Sequence, residues 1–199
     1  MEQAPRRRYA SGVEIQRPFP ILIKDNFFGD PEPIRRWALS QEFLDVKAFN
    51  ARHGTEESWP GKRSRSLHEL NPGFVQDLMN HILSSLLRFP PCDFRANCSF
   101  QMTSEADGDS WVHTDDQSYL IAGIIYLTPE PPPQSGTLFY ALGTDGEHVI
   151  SDTVANRYNR LVLFDTQVPH KSDRYFGTDD HNSRLTLPLF IDFKVKENS

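Results

Sequence analysis

The sequence predicts an α+β domain in which a strand-rich C-terminal half, a sandwich or barrel, is supported on one side by N-terminal helices. Three observations carry that expectation. Two helix signatures lie before residue 90, the apolar period drops to two after Pro90-Pro91, and six strand-like runs then follow, divided by turn-rich segments.

Residues 1–17 hold Arg6-Arg7-Arg8 and little that packs, and are expected to form a flexible arm. A single domain is expected over 18–199. Phe19 to Lys24 is a short apolar run with strand character. Asp30-Pro31 then supplies an N-cap and a first-turn proline for a helix whose Ile34, Trp37, Ala38 and Gln41 share one side. From Phe43 to Glu69 no period is visible, and the stretch reads as a long excursion or lid carrying His53, Trp59-Pro60-Gly61 and the basic cluster Lys62, Arg63, Arg65. The basic cluster is expected to be a solvated loop rather than a substrate contact. A second helix starts at Asn71 as N-cap with Pro72 behind it, and places Val75, Leu78, Met79, Ile82, Leu83 and Leu86 at helical spacing.

Beyond Pro90-Pro91, Phe94, Ala96, Cys98, Phe100 and Met102 alternate with Arg95, Asn97, Ser99 and Gln101. The expected strands are Asp93 to Thr103, Trp111 to His113, Ser118 to Leu127, Gly136 to Tyr140, Arg160 to Phe164 and Arg184 to Phe193. Pro131-Pro132-Pro133 reads as a stiff hairpin connection. Pro188, inside the last strand, predicts an edge position or a bulge.

Composition excludes several classes of function. With 38% hydrophobic and 12% aromatic residues the chain of 199 can bury a real core. The net charge of -6 gives no global positive field for a polyanion, so nucleic acid is not an expected partner. Two cysteines, Cys92 and Cys98, are too few for a disulfide framework and point to a reducing compartment. The longest uncharged apolar run, Tyr119 to Leu127, is far below the roughly 20 residues of a membrane helix. With no apolar leader core at the N-terminus, the expected location is cytoplasmic, with no membrane association.

His113-Thr114-Asp115, with His170 downstream, is the combination that carries chemistry. Two imidazoles and one carboxylate can fill three adjacent corners of a ferrous octahedron and leave the others open, the ligand set of non-haem Fe(II) oxygenases. Taken singly, each residue has a commoner explanation as a core histidine, a surface turn or a solvated loop histidine. The segment after His170 shifts the balance. In the run with Leu185, Leu187, Leu189, Ile191 and Phe193 on one face, Arg184 and Thr186 share the other, and an arginine fork beside a hydroxyl suits a carboxylate.

His113-x-Asp115, His170 and Arg184-x-Thr186, in that order on a strand-rich half, resemble the Fe(II)- and 2-oxoglutarate-dependent oxygenases with a double-stranded β-helix, or jelly-roll, core. Ile124-Ile125-Tyr126-Leu127 with Gly136-Thr137-Leu138-Phe139, and Asn159 to Phe164, resemble the corresponding strands of the prolyl-hydroxylase branch. Asp25-Asn26-Phe27-Phe28 and Trp59-Pro60-Gly61 are similar to a bacterial and phage family of uncharacterised proteins in that superfamily. The resemblance implies an enzyme, a dioxygenase and most simply a hydroxylase, acting on a C–H bond of a small-molecule or peptidyl substrate with release of succinate and CO2. It implies that His113, Asp115 and His170 bind Fe(II), that Arg184 and Thr186 hold the far carboxylate of 2-oxoglutarate, that Tyr126 touches this co-substrate, and that O2 is consumed.

Arg174, four positions after His170, competes with Arg184 as the carboxylate anchor. Asn97, Ser99 and Gln101 form a polar stripe that lines either the site or the solvent face. Trp111 is expected to pack, and His53, His68, His81, His148 and His181 receive no role. Two other classes stay open: a cupin-like metal enzyme without 2-oxoglutarate, and a jelly-roll binding module in which the histidines never assemble.

Overall fold

A computed structural model describes residues 21–143 and 146–196. The expected N-terminal arm and the start of the first expected strand lie outside these residues. The first helix, α1 (Glu32–Leu39), begins one residue later than the sequence signal, with Pro31 at the cap and the Asp30 carboxylate accepting from the Glu32 N–H at 3.1 Å. α4 (Pro72–Asn80) starts where expected, because Asn71 Oδ1 accepts from the Phe74 N–H at 3.0 Å. It continues into a π-helical segment, His81–Leu86, before Pro90-Pro91.

The stretch 43–69 is more ordered than its missing period implied. It contains β2 (Leu44–Asp45), α2 (Val46–His53), β3 (Lys62–Arg63) and α3 (Leu67–Leu70). Both β2 and β3 are two residues long, and α2 buries no residue, so neither period 2 nor period 3.6 had length or burial enough to show.

The remaining strands are β1 (Ile21–Lys24), β4 (Cys92–Cys98), β5 (Gln101–Thr103), β6 (Ile121–Tyr126), β7 (Thr137–Leu142), β8 (His148–Val154), β9 (Leu161–Asp165), β10 (His170–Ser172) and β11 (Arg184–Val195). They form two antiparallel sheets. The larger joins eight strands in the order β1-β9-β6-β11-β5-β3-β2, with β4 also paired to β11; the smaller is β10-β7-β8. β8 was not expected, since six of its seven residues are exposed and no buried alternation marks them. The expected strand Asp93 to Thr103 is broken at Ser99-Phe100 into β4 and β5.

Pro188 corrects a further expectation. It lies in β11, a central strand with β6 on one side and β5 then β4 on the other, and the register with β6 runs unshifted past it. Leu127 N–H donates to the Leu185 carbonyl and Leu120 N–H to the Ile191 carbonyl, so the odd-numbered residues of β11 face β6. Pro188 therefore turns its donor-less nitrogen to the other side, opposite the gap between β5 and β4. The proline costs no ladder bond there.

One face of the large sheet, with Leu185, Leu187, Leu189 and Ile191 fully buried, packs against the helices through Val75, Leu78, Met79, Ile82 and Leu83. Each such side chain contributes about 1.5–3 kcal/mol by leaving water. Trp37 of α1 sits edge-on to Phe74 and Phe100, at 5.1 and 5.0 Å between ring centroids. A second apolar cluster, Ala122, Tyr126, Phe139, Val154, Val162 and Phe164, joins the two sheets. The cavity described next opens on that second face. Among the described residues no helix is long and apolar enough to cross a membrane.

Candidate active site

His113 and His170 are brought together by the backbone. They form an isolated antiparallel bridge, with His113 N–H donating to the His170 carbonyl at 3.0 Å and His170 N–H to the His113 carbonyl at 2.9 Å. Side chains of such a directly opposed pair stand on the same face. Two residues on, Asp115 N–H donates to the Thr166 carbonyl at 2.9 Å, so its side chain also turns to that face. The expected strand Trp111 to His113 is thus reduced to this one bridge.

The three ligand-type atoms all lie within 4.8 Å of one another. His170 Nε2 stands 3.5 Å from Asp115 Oδ2, and His113 Nε2 3.9 Å from Asp115 Oδ1. Donors about 2.1 Å from one octahedral metal are about 3 Å apart, so the set would draw in by up to about 2 Å at its widest pair to close on an ion. Each imidazole is already oriented for that. His113 Nδ1 lies 3.0 Å from the Trp111 carbonyl and His170 Nδ1 2.9 Å from the Val168 carbonyl, which fixes the proton on Nδ1 and leaves Nε2 as the free donor.

Electrostatics agree with a metal role. Burial and the neighbouring His113 push His170 down to about 4, so it is neutral at physiological pH. Burial lifts the Asp115 carboxyl to about 6, a rise that His113 and Arg63 offset only in part. A buried acid beside two imidazoles is a donor set suited to a cation.

The cavity beside the triad measures about 440 Å³. Arg184 and Thr186 both line it, and Arg184 is 3% exposed. Its Nε donates to the Ser135 carbonyl at 3.3 Å, its Cζ stands 5.5 Å from the Tyr126 ring, and its Nη2 is buried with no partner among the described residues. Arg174 is exposed and does not line the cavity, so of the two arginines Arg184 is the one at the cavity. Thr186 Oγ1 makes a long bond, 3.4 Å, to the Gln101 carbonyl. Tyr126 lies behind the wall rather than in it; its hydroxyl pairs with Thr137 Oγ1 at 2.7 Å, and Thr137 lines the cavity.

Other expectations are corrected. Trp111 is 49% exposed at the cavity and packs into no core. Of the polar stripe, Asn97 and Gln101 reach the cavity and Ser99 does not. In the basic cluster Lys62 pairs with Asp180 at 2.6 Å and Arg65 is exposed, but Arg63 is turned into the cavity wall, with a buried Nε that has no partner. Tyr175, Trp59 and Thr103, also in the wall, had no individual signal beyond Trp59-Pro60-Gly61. His181 stands outside the triad, and its backbone carbonyl accepts from Arg35.

Five buried side-chain polar atoms lack a partner among the described residues, and four of them, on Trp59, Arg63, Thr103 and Arg184, belong to residues lining this one cavity. An unmatched buried donor costs about 1–3 kcal/mol. Their concentration beside the triad is what a polar ligand would relieve.

No curated protein matches the chain in sequence. Solved structures of similar fold include HygX from Streptomyces hygroscopicus with nickel, 2-oxoglutarate and hygromycin B bound, at TM-score 0.59 and 14% identity over 86% of this chain and 82% of that one. An oxidoreductase of the 2OG-Fe(II) oxygenase family from Burkholderia pseudomallei aligns at TM-score 0.57 and 12% identity, over 86% and 84%. A Pseudomonas putida prolyl-4-hydroxylase aligns at TM-score 0.51 and 17% identity, over 90% and 95%. At these identities the likeness is one of fold: the chain is folded like Fe(II)/2-oxoglutarate oxygenases. At the level of sequence, a model of the family of unknown function DUF6445 matches residues 7–182, and the chain belongs to that family.

Proposed function

We propose that this protein is an Fe(II)- and 2-oxoglutarate-dependent oxygenase, a single jelly-roll domain over 18–199, that hydroxylates a C–H bond of a small-molecule or peptidyl substrate. The observation that carries the reading is the shared cavity: a His113-Asp115-His170 cluster and the unpartnered guanidinium nitrogen of Arg184 face the same space. A bare metal site has no use for that buried cation, whereas a dicarboxylate bound at both ends uses it.

His113, Asp115 and His170 would hold the iron. Ferrous iron with 2-oxoglutarate and O2 supplies the oxidation of the C–H bond, with succinate and CO2 as by-products. The chain's own part is positioning and exclusion of water. Val168 and Trp111 carbonyls lock the two imidazoles. Arg184 would receive the far carboxylate through Nη2, with the Thr186 hydroxyl free to leave its long bond to Gln101 and join it. Tyr126 acts behind Arg184, its ring under the guanidinium and its hydroxyl fixing Thr137. Phe164 and Phe139 flank His170, at 4.6 and 6.1 Å between centroids, and keep that side dry. HygX, bound to 2-oxoglutarate and hygromycin B, supports a small-molecule substrate on this fold.

Anaerobic addition of Fe(II) and 2-oxoglutarate is expected to produce a weak visible charge-transfer band, and in air the protein is expected to release succinate. His170→Ala abolishes both. Absence of the band in the wild-type protein, or full turnover in the variant, overturns the reading.

A further inference from the structure

Arg63 is the cavity's second cation, and the chemistry above leaves it without a task. It stands on β3, opposite Gln101 of β5, which in turn lies opposite Thr186 of β11, so it belongs to the same sheet as the proposed co-substrate anchor but two strands away. Its one hydrogen bond among the described residues, from Nη2 to Gln101 Oε1, is long at 3.5 Å. Its Nε is buried and unpartnered. Glu57 and Asp115 act on it electrostatically, yet neither closes an ion pair with it among the described residues. Burial pushes it down to about 10, which still leaves it charged at neutral pH.

The side chain is nevertheless fixed. Its guanidinium lies over the Trp59 ring at 4.6 Å, and Trp59 is braced edge-on by Phe49 of α2 at 4.8 Å. The backbone on both sides is clamped to the sheet: Gln101 Nε2 donates to the Pro60 carbonyl, Ser64 N–H donates to the Phe100 carbonyl, and the Phe100 N–H donates back to Ser64 Oγ. Gly61, at φ +71°, passes so close to Met102 that a Cβ would collide with its carbonyl oxygen. Beside Arg63, the indole N–H of Trp59 is a second buried donor without an acceptor. A rigid, desolvated pair of N–H groups, one on a permanent cation, is built to receive oxygen atoms of an anion.

The two donors select the class. Glu57 lines the same wall but closes no ion pair with Arg63 among the described residues, and a carboxylate offers two acceptor oxygens to the two unpartnered N–H groups. We propose that the primary substrate carries a carboxylate, held by Arg63 and the Trp59 indole N–H while its reacting carbon faces the triad. The inference rests on the oxygenase reading for the placing of the reacting carbon at the triad, but the two unpartnered donors stand without it.

Matched pairs of N-acetyl amino acids and their primary amides are the probes, titrated calorimetrically into the protein with Fe(II) and 2-oxoglutarate under argon. The wild-type protein is expected to bind at least one free acid about tenfold or more tighter than its amide, the scale of one charge-assisted contact. Arg63→Gln is expected to remove that preference while leaving the charge-transfer band intact, and Arg63→Lys to keep part of it. Equal binding of acid and amide, binding of no acid at all, or a preference that survives Arg63→Gln overturns the proposal. So does loss of the band in Arg63→Gln, which would make Arg63 a co-substrate anchor. A wild-type protein with no band defeats the oxygenase reading instead, and the acid preference and its loss in the variant still decide the role of Arg63.

Discussion

Arg184 and Arg63 line one cavity from strands two apart in one sheet, each with a buried nitrogen that has no partner among the described residues, and they are held there by opposite means. Arg184 opens the 12-residue β11, which has partners on both sides, and its direction follows from strand alternation. Arg63 stands on a two-residue strand and owes its direction to side-chain bonds, an aromatic support and one positive-φ glycine. Where the ladder is long, the backbone aims a side chain; where it is short, tertiary contacts must do so.

The comparison breaks most severely at Arg184. Arg184→Met is expected to raise the KM for 2-oxoglutarate about 100-fold, or abolish binding, since a buried charge-assisted pair is worth about 2–3 kcal/mol. Its Tm is expected not to fall, because the variant removes a buried guanidinium that closes no ion pair among the described residues. A collapse of Tm with 2-oxoglutarate binding retained would make Arg184 a structural residue.

A smaller effect is expected where Arg63 is aimed. Gly61→Val forces a β-branched residue into positive φ and against the Met102 carbonyl, at a cost of about 2 kcal/mol or more. Thermal unfolding should show a Tm lower by several degrees. The acid preference assigned to Arg63 should weaken while the 2-oxoglutarate band survives, and an unchanged preference would show that the clamp does not aim Arg63.

The smallest effect serves as a control remote from both arginines. Arg160 grips Asp25 through Nε and Nη2, at 2.5 and 2.9 Å, and holds its carboxyl below the usual carboxylate range. Stability from this pair is present above the unfolded pKa near 4 and is lost as pH falls through the lowered folded value. Asp25 is 42% exposed, so screening keeps the gain to about 1 kcal/mol or less. Urea unfolding should therefore show Asp25→Asn slightly less stable than wild type at pH 7, with the gap closing toward pH 3. A gap that widens in acid would contradict the sign.

Much of this was legible before any coordinates. The Asn71-Pro72 cap set the start of α4, and the alternation from Phe94 to Met102 marked β4 and β5, because caps and periods are written in adjacent residues. β8 left no mark, being exposed along most of its length, and α2 left none, having no buried face. Pro188 misled because its cost depends on which neighbour its nitrogen faces, and that neighbour is a gap nearly 90 residues earlier in the chain.

The sequence by itself determined α1, α4 and the longer buried strands, and the chemical types available to the site: two imidazoles, one acid, an arginine and a threonine on one strand face. Only tertiary structure decided that His113 and His170 pair backbone to backbone, that Arg184 rather than Arg174 reaches the cavity, and that Arg63 turns into the cavity wall while Lys62 and Arg65 do not. Local pattern records which way a side chain points along its own strand. Burial and unmet hydrogen bonds belong to the space between strands, and no single stretch of chain encodes that space.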